Sequence, residues 1–246
     1  RKFKKVRIYL LSGVINTNCC DQITKFKIIP IINNFDQLNI IEKYSKKIKY
    51  VLHIDTGMNR LGFDINNIDR LKKRVSLNDI FFIMSHLSSS DDKDTNECKI
   101  QLNKLKKINK HFRKPMSIAN SAGIFLGKSF YLDYVRPGKS LYGINPFVNK
   151  PFGLKPVMSI YAPILQVSKI KKKQTIGYSK TYKAKKEMKV ATIDFGYSDG
   201  YLRSGSNKGK VFIDNVPCKV LGRISMDLIT IDVSKVNDEQ LFLGKP

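Results

Sequence analysis

The chain reads as an α/β protein: a partial TIM-type (β/α) barrel over residues 1–150, followed by an antiparallel β domain over residues 151–246. Three observations predict this. Short, nearly continuous apolar runs alternate with segments of helical period, as expected for strands buried on both faces and joined by helical crossovers. Polar, loop-forming groups collect just after these runs, at Asp55-Thr56, His86, Asn120-Ser121 and Arg136-Pro137-Gly138. Functional groups gather at strand C-termini in barrels, although an open doubly wound sheet obeys a similar rule. Thirdly, helical periodicity stops after Pro146, and from Lys155 onward the chain shows only short strand-like runs and turns.

The elements follow in order. The run at 6–11, ending before Gly13, and the run at 26–32 predict the first two strands. Leu38, Ile41 and the Tyr44 ring share one face of a helix. The third strand, 50–54, ends at Asp55-Thr56-Gly57, and Ile65, Ile68, Leu71 and Val75 stand at helical spacing after it. The run at 80–85 is the fourth strand, and Leu102, Leu105, Ile108 and Phe112 form the stripe of a longer helix. Runs at 116–119 and 131–135 complete the predicted set. A closed barrel takes ~8 strands. The missing units are therefore expected ahead of residue 1, which is Arg rather than Met. In the second part, runs at 157–163, 164–170, 188–193, 210–213, 216–221 and 228–233 alternate with turns such as Asn207-Lys208-Gly209 and Asp214-Asn215. Lys169-Ile170-Lys171-Lys172-Lys173 reads as the solvated turn of a hairpin, and the chain is expected to break off in or just after a strand at 243–246.

Composition narrows the function classes. The 246 residues are 42% hydrophobic and 26% charged, an ordinary globular balance. No apolar run approaches the ~18 residues of a membrane span, and no secretory signal is visible. Cys19, Cys20, Cys98 and Cys218 form neither a disulfide framework nor a CxxC metal pair, which reads as free thiols in a reducing cytoplasm. The formal net charge of +25 could mark a nucleic-acid binder. The lysines are scattered along the whole chain, and Ile and Asn are also abundant, so a compositional bias explains the charge better. Neither a nucleic-acid nor a membrane partner is expected.

Four motifs carry chemistry. They are the 54–63 segment with Asp55-Thr56-Gly57-Met58-Asn59-Arg60, the 135–143 segment with Arg136-Pro137-Gly138-Lys139-Ser140, then Gly196-Tyr197-Ser198-Asp199-Gly200, and finally Ser225-Met226-Asp227. The Ser121 hydroxyl, at a strand end before Ala122-Gly123, suits a phosphate, and Gly138 and Lys139 offer a similar turn one strand later. Strand-to-helix turns need Ser and Gly for structural reasons as well. Arg136 ends a predicted strand and carries a group that does not give up its proton.

In this order, and across nearly the whole chain, the motifs resemble alanine racemase, a fold-type III pyridoxal-phosphate enzyme. The resemblance implies racemisation of L- and D-alanine by two bases, supplying D-alanine for peptidoglycan. It also implies a homodimer whose active sites draw on both chains. Asn120, Ser121, Gly138 and Lys139 would hold the cofactor. Arg136 would face its pyridine nitrogen, with His86 hydrogen-bonded to that Arg. Tyr197 would be one catalytic base, supplied by the partner chain, with Arg60 near it and near the substrate carboxylate. Met226 and Asp227 would border the substrate.

Two features depart from the family pattern. The lysine that holds the cofactor, near a Tyr-Gly-His motif in the family, would precede the region present here, and no such motif occurs in the chain. Residues 1–246 alone would accordingly not turn over. His53 stands where many relatives have a lysine, often carbamylated; by itself it reads as a histidine inside a strand, and His111 as one in a polar helix end. The alternatives are another racemase or decarboxylase of the same two-domain plan, or a pyridoxal-phosphate homeostasis protein without turnover. The β domain argues against the last, and the Tyr197 and Met226 motifs favour the alanine enzyme.

Overall fold

A computed structural model describes residues 6–92, 94–147 and 152–245. The chain divides into two units, Arg1–Met158 and Ser159–Pro246.

The first unit is built on a parallel sheet. Its elements are β1 (Ile8–Leu10), α1 (Thr17–Phe26), β2 (Ile28–Ile32), α2 (Phe35–Lys43), β3 (Tyr50–Asp55), β4 (Phe63–Asp64), α3 (Ile68–Arg74), β5 (Ile80–Met84), α4 (Asn96–Phe112), β6 (Met116–Ser117) and α5 (Ser121–Phe125). The strand order is β1-β2-β3-β5-β6, with β4 paired to β3. Every pairing is parallel, so the sheet is an arc of the barrel expected from strand–helix alternation. Period-2 alternation divides its side chains between two cores. Ile32, Leu52, Ile54 and Ile83 pack under the helices, together with the α4 stripe of Leu102, Leu105, Ile108 and Phe112. Ile31, Val51, Phe82 and Met84 cluster on the opposite, inner face.

Local signals explain the helix ends. Asn16 and Asn34 accept hydrogen bonds from the third helical N–H of α1 and α2, at 2.9 Å each. Lys27 and Arg113 close α1 and α4 in the left-handed conformation. Helix α1 was not anticipated, because only Cys20 and Ile23 of its ten residues are buried. The run at 131–135 forms no strand. It contributes a single bridge, Ser117 to Tyr134, and Tyr131, Tyr134 and Val135 stay exposed.

The second unit is antiparallel: β7 (Ile164–Ile170), β8 (Thr175–Ile176), β9 (Tyr182–Lys183), β10 (Met188–Asp194), β11 (Lys210–Ile213), β12 (Val216–Leu221) and β13 (Leu228–Asp232). Five strands pair in the order β11-β12-β13-β10-β7, and β8 and β9 form a separate hairpin. The core holds Ile164, Ala191, Ile193, Val220, Ile229 and Ile231. The expected strand at 157–163 does not form; Val157, Met158, Ile160 and Tyr161 are exposed. The last described residues return to the sheet, with Gly244 N–H donating to the Ile164 carbonyl at 2.9 Å.

Among the described residues, no helix is long and apolar enough to cross a membrane, and no group of three His, Cys, Asp or Glu side chains could hold a metal.

Candidate active site

In the first unit the expected residues gather at the C-terminal ends of the parallel strands. Arg136 is their centre. Its backbone N–H donates to the Ala119 carbonyl at 2.9 Å, which fixes it beside the end of β6. Its guanidinium then reaches back over two strands. One terminal nitrogen donates to the Ser117 hydroxyl. The other donates to the Ser85 carbonyl at 2.6 Å, and lies 3.4 Å from His86 Nδ1 and 3.5 Å from the Ile118 carbonyl. Burial pulls its pKa down to about 10, so the cation persists at neutral pH.

His86 follows β5 and is half-buried. Burial first, then the charges of Arg136 and Arg60, push its pKa down to about 4. A neutral ring can accept from Arg136 through Nδ1 only as the Nε2–H tautomer. His86 thus supports the guanidinium without adding charge.

Ser121 opens α5 and is buried. Its Oγ accepts from the backbone N–H of Gly138 at 2.8 Å and of Ser140 at 3.3 Å. The hydroxyl therefore ties the β6–α5 turn to the 138–142 turn and keeps its own proton to donate. Ser140 Oγ is buried with no hydrogen-bond partner. A Cβ added to Gly138 would meet only Ser121 Oγ, at 3.9 Å. The result is a small hydroxyl-lined turn pair with an unsatisfied donor. Asn120 behaves differently from its neighbours. Its side-chain oxygen already accepts from Gly123 N–H at 2.9 Å and from the Ser90 hydroxyl at 2.8 Å, so it shapes the turn. Lys139 is exposed, and its Nζ lies 3.4 Å from the Pro146 carbonyl.

Arg60 sits on the turn leaving β3. The Asp55 carboxylate accepts from Gly57 and Met58 N–H at 2.8 Å each, and Asn59 takes a left-handed φ of 54°. Gly62 has φ 117°, and a Cβ there would approach Asp55 N to 2.7 Å. That turn can close against β3 only with glycine. Arg60 itself is exposed.

In the second unit, the two motifs are laced together. Tyr197 N–H donates to the Ser225 carbonyl at 3.1 Å, and Ser198 N–H to the Met226 carbonyl at 2.9 Å. The Ser198 hydroxyl lies 2.9 Å from the Met226 carbonyl and 2.8 Å from an Asp227 carboxylate oxygen. Gly196 is required here: a Cβ would fall 2.0 Å from the Met226 carbonyl oxygen. Tyr197 and Met226 are 44% and 51% exposed, so both side chains are presented rather than packed. The Arg203 guanidinium lies over the Tyr197 ring, 5.8 Å from its centroid. Nothing in the sequence singles out Arg203, six residues along the same loop. Ser117 and Ser140 were likewise missed as partners, because their roles depend on contacts made 17 to 19 residues away.

Hydroxyl-lined turns beside a half-buried, charged Arg at parallel strand ends, and in the same chain an antiparallel unit presenting a Tyr, place the chain in the class that carries a (β/α) barrel followed by a β domain. Comparison with known proteins narrows this. The family profile "Alanine racemase, N-terminal domain" matches residues 1–146, and "Alanine racemase, C-terminal domain" matches residues 157–245. An alanine racemase of Rickettsia bellii is 39% identical over 98% of this chain and 61% of that protein. One from Brucella canis is 38% identical over 88% of this chain and 60% of that protein. The crystal structure of alanine racemase from Bartonella henselae with covalently bound pyridoxal phosphate superposes with a TM-score of 0.87 at 33% identity, covering 99% of this chain and 69% of that one. The biosynthetic alanine racemase of Pseudomonas aeruginosa gives 0.88 at 26% identity, covering 98% and 69%. The chain belongs to the alanine racemase family. It spans about three fifths of the length of the Rickettsia bellii and Brucella canis relatives.

Proposed function

We propose that the protein interconverts L- and D-alanine with pyridoxal 5′-phosphate, providing D-alanine for the bacterial cell wall. The observation that carries this reading is the half-buried, hydrogen-bonded Arg136 beside the Ser121, Gly138 and Ser140 turns. The residues fit the cofactor: Ser140 Oγ is buried without a partner, Ser121 retains a proton to donate, and Gly138 leaves room for a bulky oxyanion. When bound, the cofactor supplies an electron sink for the charge left at the substrate Cα. Ser121, Ser140, Gly138 and Lys139 would hold its phosphate, with Asn120 shaping the turn. Arg136 would face the ring nitrogen and keep its own proton, leaving that nitrogen largely unprotonated. With its ring nitrogen held unprotonated by Arg136, the chemistry the group would supply is biased towards racemisation over transamination.

Tyr197 takes or returns the proton on one face of Cα. A free phenol, with a pKa near 10, is a poor base at neutral pH and gains from a nearby fixed positive charge. Arg60 and Arg203 are the candidates for that charge. Arg60 also binds the substrate carboxylate, and the Met226-Asp227 loop borders the substrate. The lysine that faces Tyr197 across Cα in the family would come from a part of the protein outside these 246 residues. We read the working form as a homodimer pairing Tyr197 of one protomer with the strand-end site of its partner. Four free cysteines, three of them buried, support a cytoplasmic setting.

The test is D-alanine formation from L-alanine by the protein as its gene encodes it, with added pyridoxal phosphate. Interconversion that follows cofactor loading is expected. Cofactor binding without turnover of alanine would overturn the reading in favour of a homeostasis protein or a racemase for another amino acid.

A further inference from the structure

The backbone leaving β5 meets the site on one side and a buried helix side chain on the other. Ser85 still belongs to the sheet, its N–H donating to the Ser117 carbonyl at 3.0 Å. Its own carbonyl accepts from Arg136, and His86 Nδ1 stands 3.4 Å from the same guanidinium. Further on, the Ser90 hydroxyl donates to Asn120 Oδ1 at the turn that opens α5. Residues 85–90 thus run from Arg136 to the edge of the Ser121 turn.

Gln101, on α4, holds this segment from the helical layer. The other buried residues of α4 are Cys98, Leu102, Leu105, Ile108 and Phe112, yet Gln101 is only 1% exposed. A buried amide is costly unless its donors and acceptors are filled, and here they are. Its Oε1 accepts from the Ser88 N–H at 3.0 Å and from the Ser88 hydroxyl at 3.2 Å. Its Nε2 donates to the His86 carbonyl at 3.0 Å and lies 3.5 Å from Thr56 Oγ1. A backbone N–H only donates and a carbonyl only accepts, so the amide has one orientation. Thr56 Oγ1 is in turn 2.6 Å from Ser85 Oγ, and both residues are buried. The peptide groups around His86 and Ser88 are therefore tied to a helix side chain just where the chain leaves the sheet.

We propose that Gln101 is a positioning residue for Arg136: its amide holds residues 85–88 where the Ser85 carbonyl and the His86 ring meet the guanidinium. The inference rests on the racemase reading for its consequence in cofactor binding, and on the hydrogen bonds alone for its structural one. An apolar side chain of the same length would serve the packing of α4 as well as Gln101 does. What the amide adds is the set of bonds to His86 and Ser88, and through that backbone a fixed seat for Arg136.

The test uses the protein as its gene encodes it. Gln101→Met keeps the length of the side chain and removes its hydrogen bonds. Ile108→Ala, two turns along the same buried face, is the control for lost stability alone. Nitrogen-15 NMR of labelled histidine at pH 7, with His86 assigned by its loss in His86→Gln, should show in the parent and the control a ring protonated at Nε2 with Nδ1 hydrogen-bonded. In Gln101→Met the Nδ1 resonance should move to that of an imidazole free of this bond. The dissociation constant for pyridoxal phosphate should rise ~10-fold in Gln101→Met, as for the loss of one hydrogen bond to a charged group, and no more than ~2-fold in the control. A His86 resonance and a cofactor affinity in Gln101→Met that match the control would reduce Gln101 to packing and overturn the proposal. Should Gln101→Met fail to fold, amide exchange in the parent decides. Ser88 is exposed, yet its N–H should exchange slowly, held by Gln101. Exchange at the rate of a free loop amide would overturn the proposal. Absence of racemisation in the parent would instead refute the functional reading and leave the NMR and exchange results standing.

Discussion

The two units carry their functional groups in opposite ways. In the first, Arg136 is half-buried and tied by hydrogen bonds to Ser85 and Ser117, on two different strand ends. In the second, Tyr197 and Met226 are about half exposed, and only their backbones are laced together. A group that must hold a constant charge against a ring is best fixed by several partners before anything binds. A group that must move a proton at a substrate atom works from a presented position, on a loop whose backbone is rigid and whose side chain is not. The comparison predicts that loss of the Arg136 side chain will register as stability and binding, and loss of the Tyr197 hydroxyl as turnover.

The largest effect should come from Tyr197. Tyr197→Phe keeps the ring and its contact with Arg203 but removes the exchangeable proton. It should lower racemisation by ~1,000-fold, within the range of general acid–base effects, with little change in thermal stability or cofactor absorbance. Arg136→Leu should do the reverse of this pattern. It leaves the Ser85 carbonyl and the Ser117 hydroxyl, both of buried residues, without their cationic donor, and should cost about 2–3 kcal/mol in denaturant unfolding of residues 1–246 as well as cofactor affinity. A stability loss as large for Tyr197→Phe would erase the contrast.

Gly196→Ala breaks the lacing of the second unit. Its methyl group would fall on the Met226 carbonyl, and overpacking of this kind costs about 1–3 kcal/mol. Unfolding followed by a probe in the second unit should report it. Arg203→Ala should have the smallest effect. The side chain is exposed, and a cation–ring contact at such a site contributes about 0.5–1 kcal/mol, so turnover should fall by no more than ~5-fold.

Acid should separate the units as well. His53 and His86 are each held at about 4, below the ordinary value of 6.5, by burial first and then by the charge of Arg136. Between those values the unfolded chain binds more protons than the folded one. The stability these residues contribute is therefore complete above about pH 6.5 and is lost as pH falls towards 4. The urea midpoint of the first unit should drop from pH 7 to pH 5, and His86→Gln should flatten the slope. A first unit indifferent to pH over this window would contradict the neutral state of the buried His53 ring and the half-buried His86 ring.

Much of this arrangement was legible in the sequence. Apolar runs located β1 to β3, β5, β6, β7 and β10 to β13, because strands buried on two faces, or alternating against one core, leave that trace. The helix stripe from Leu102 to Phe112 is wholly buried, as its spacing predicted. Helix α1 left almost no stripe and was announced only by its Asn16 cap. The runs at 131–135 and 157–163 have strand-like composition, yet most of their large side chains remain exposed, so β-propensity without a partner misled. The site residues stood out as strand-end punctuation. Their supports did not: Ser117 and Ser140 acquire their roles only when the fold brings distant segments together, and a lone polar residue in a sequence carries no sign of its eventual partner.

The most direct test of the central claim follows the α-hydrogen of alanine in deuterated water. With Tyr197→Phe in the protein as its gene encodes it, loaded with pyridoxal phosphate, one enantiomer should still exchange its α-hydrogen while interconversion of the two is lost. Retention of full racemisation, with both enantiomers exchanging at the parent rate, would contradict the assignment of Tyr197 as one of two bases.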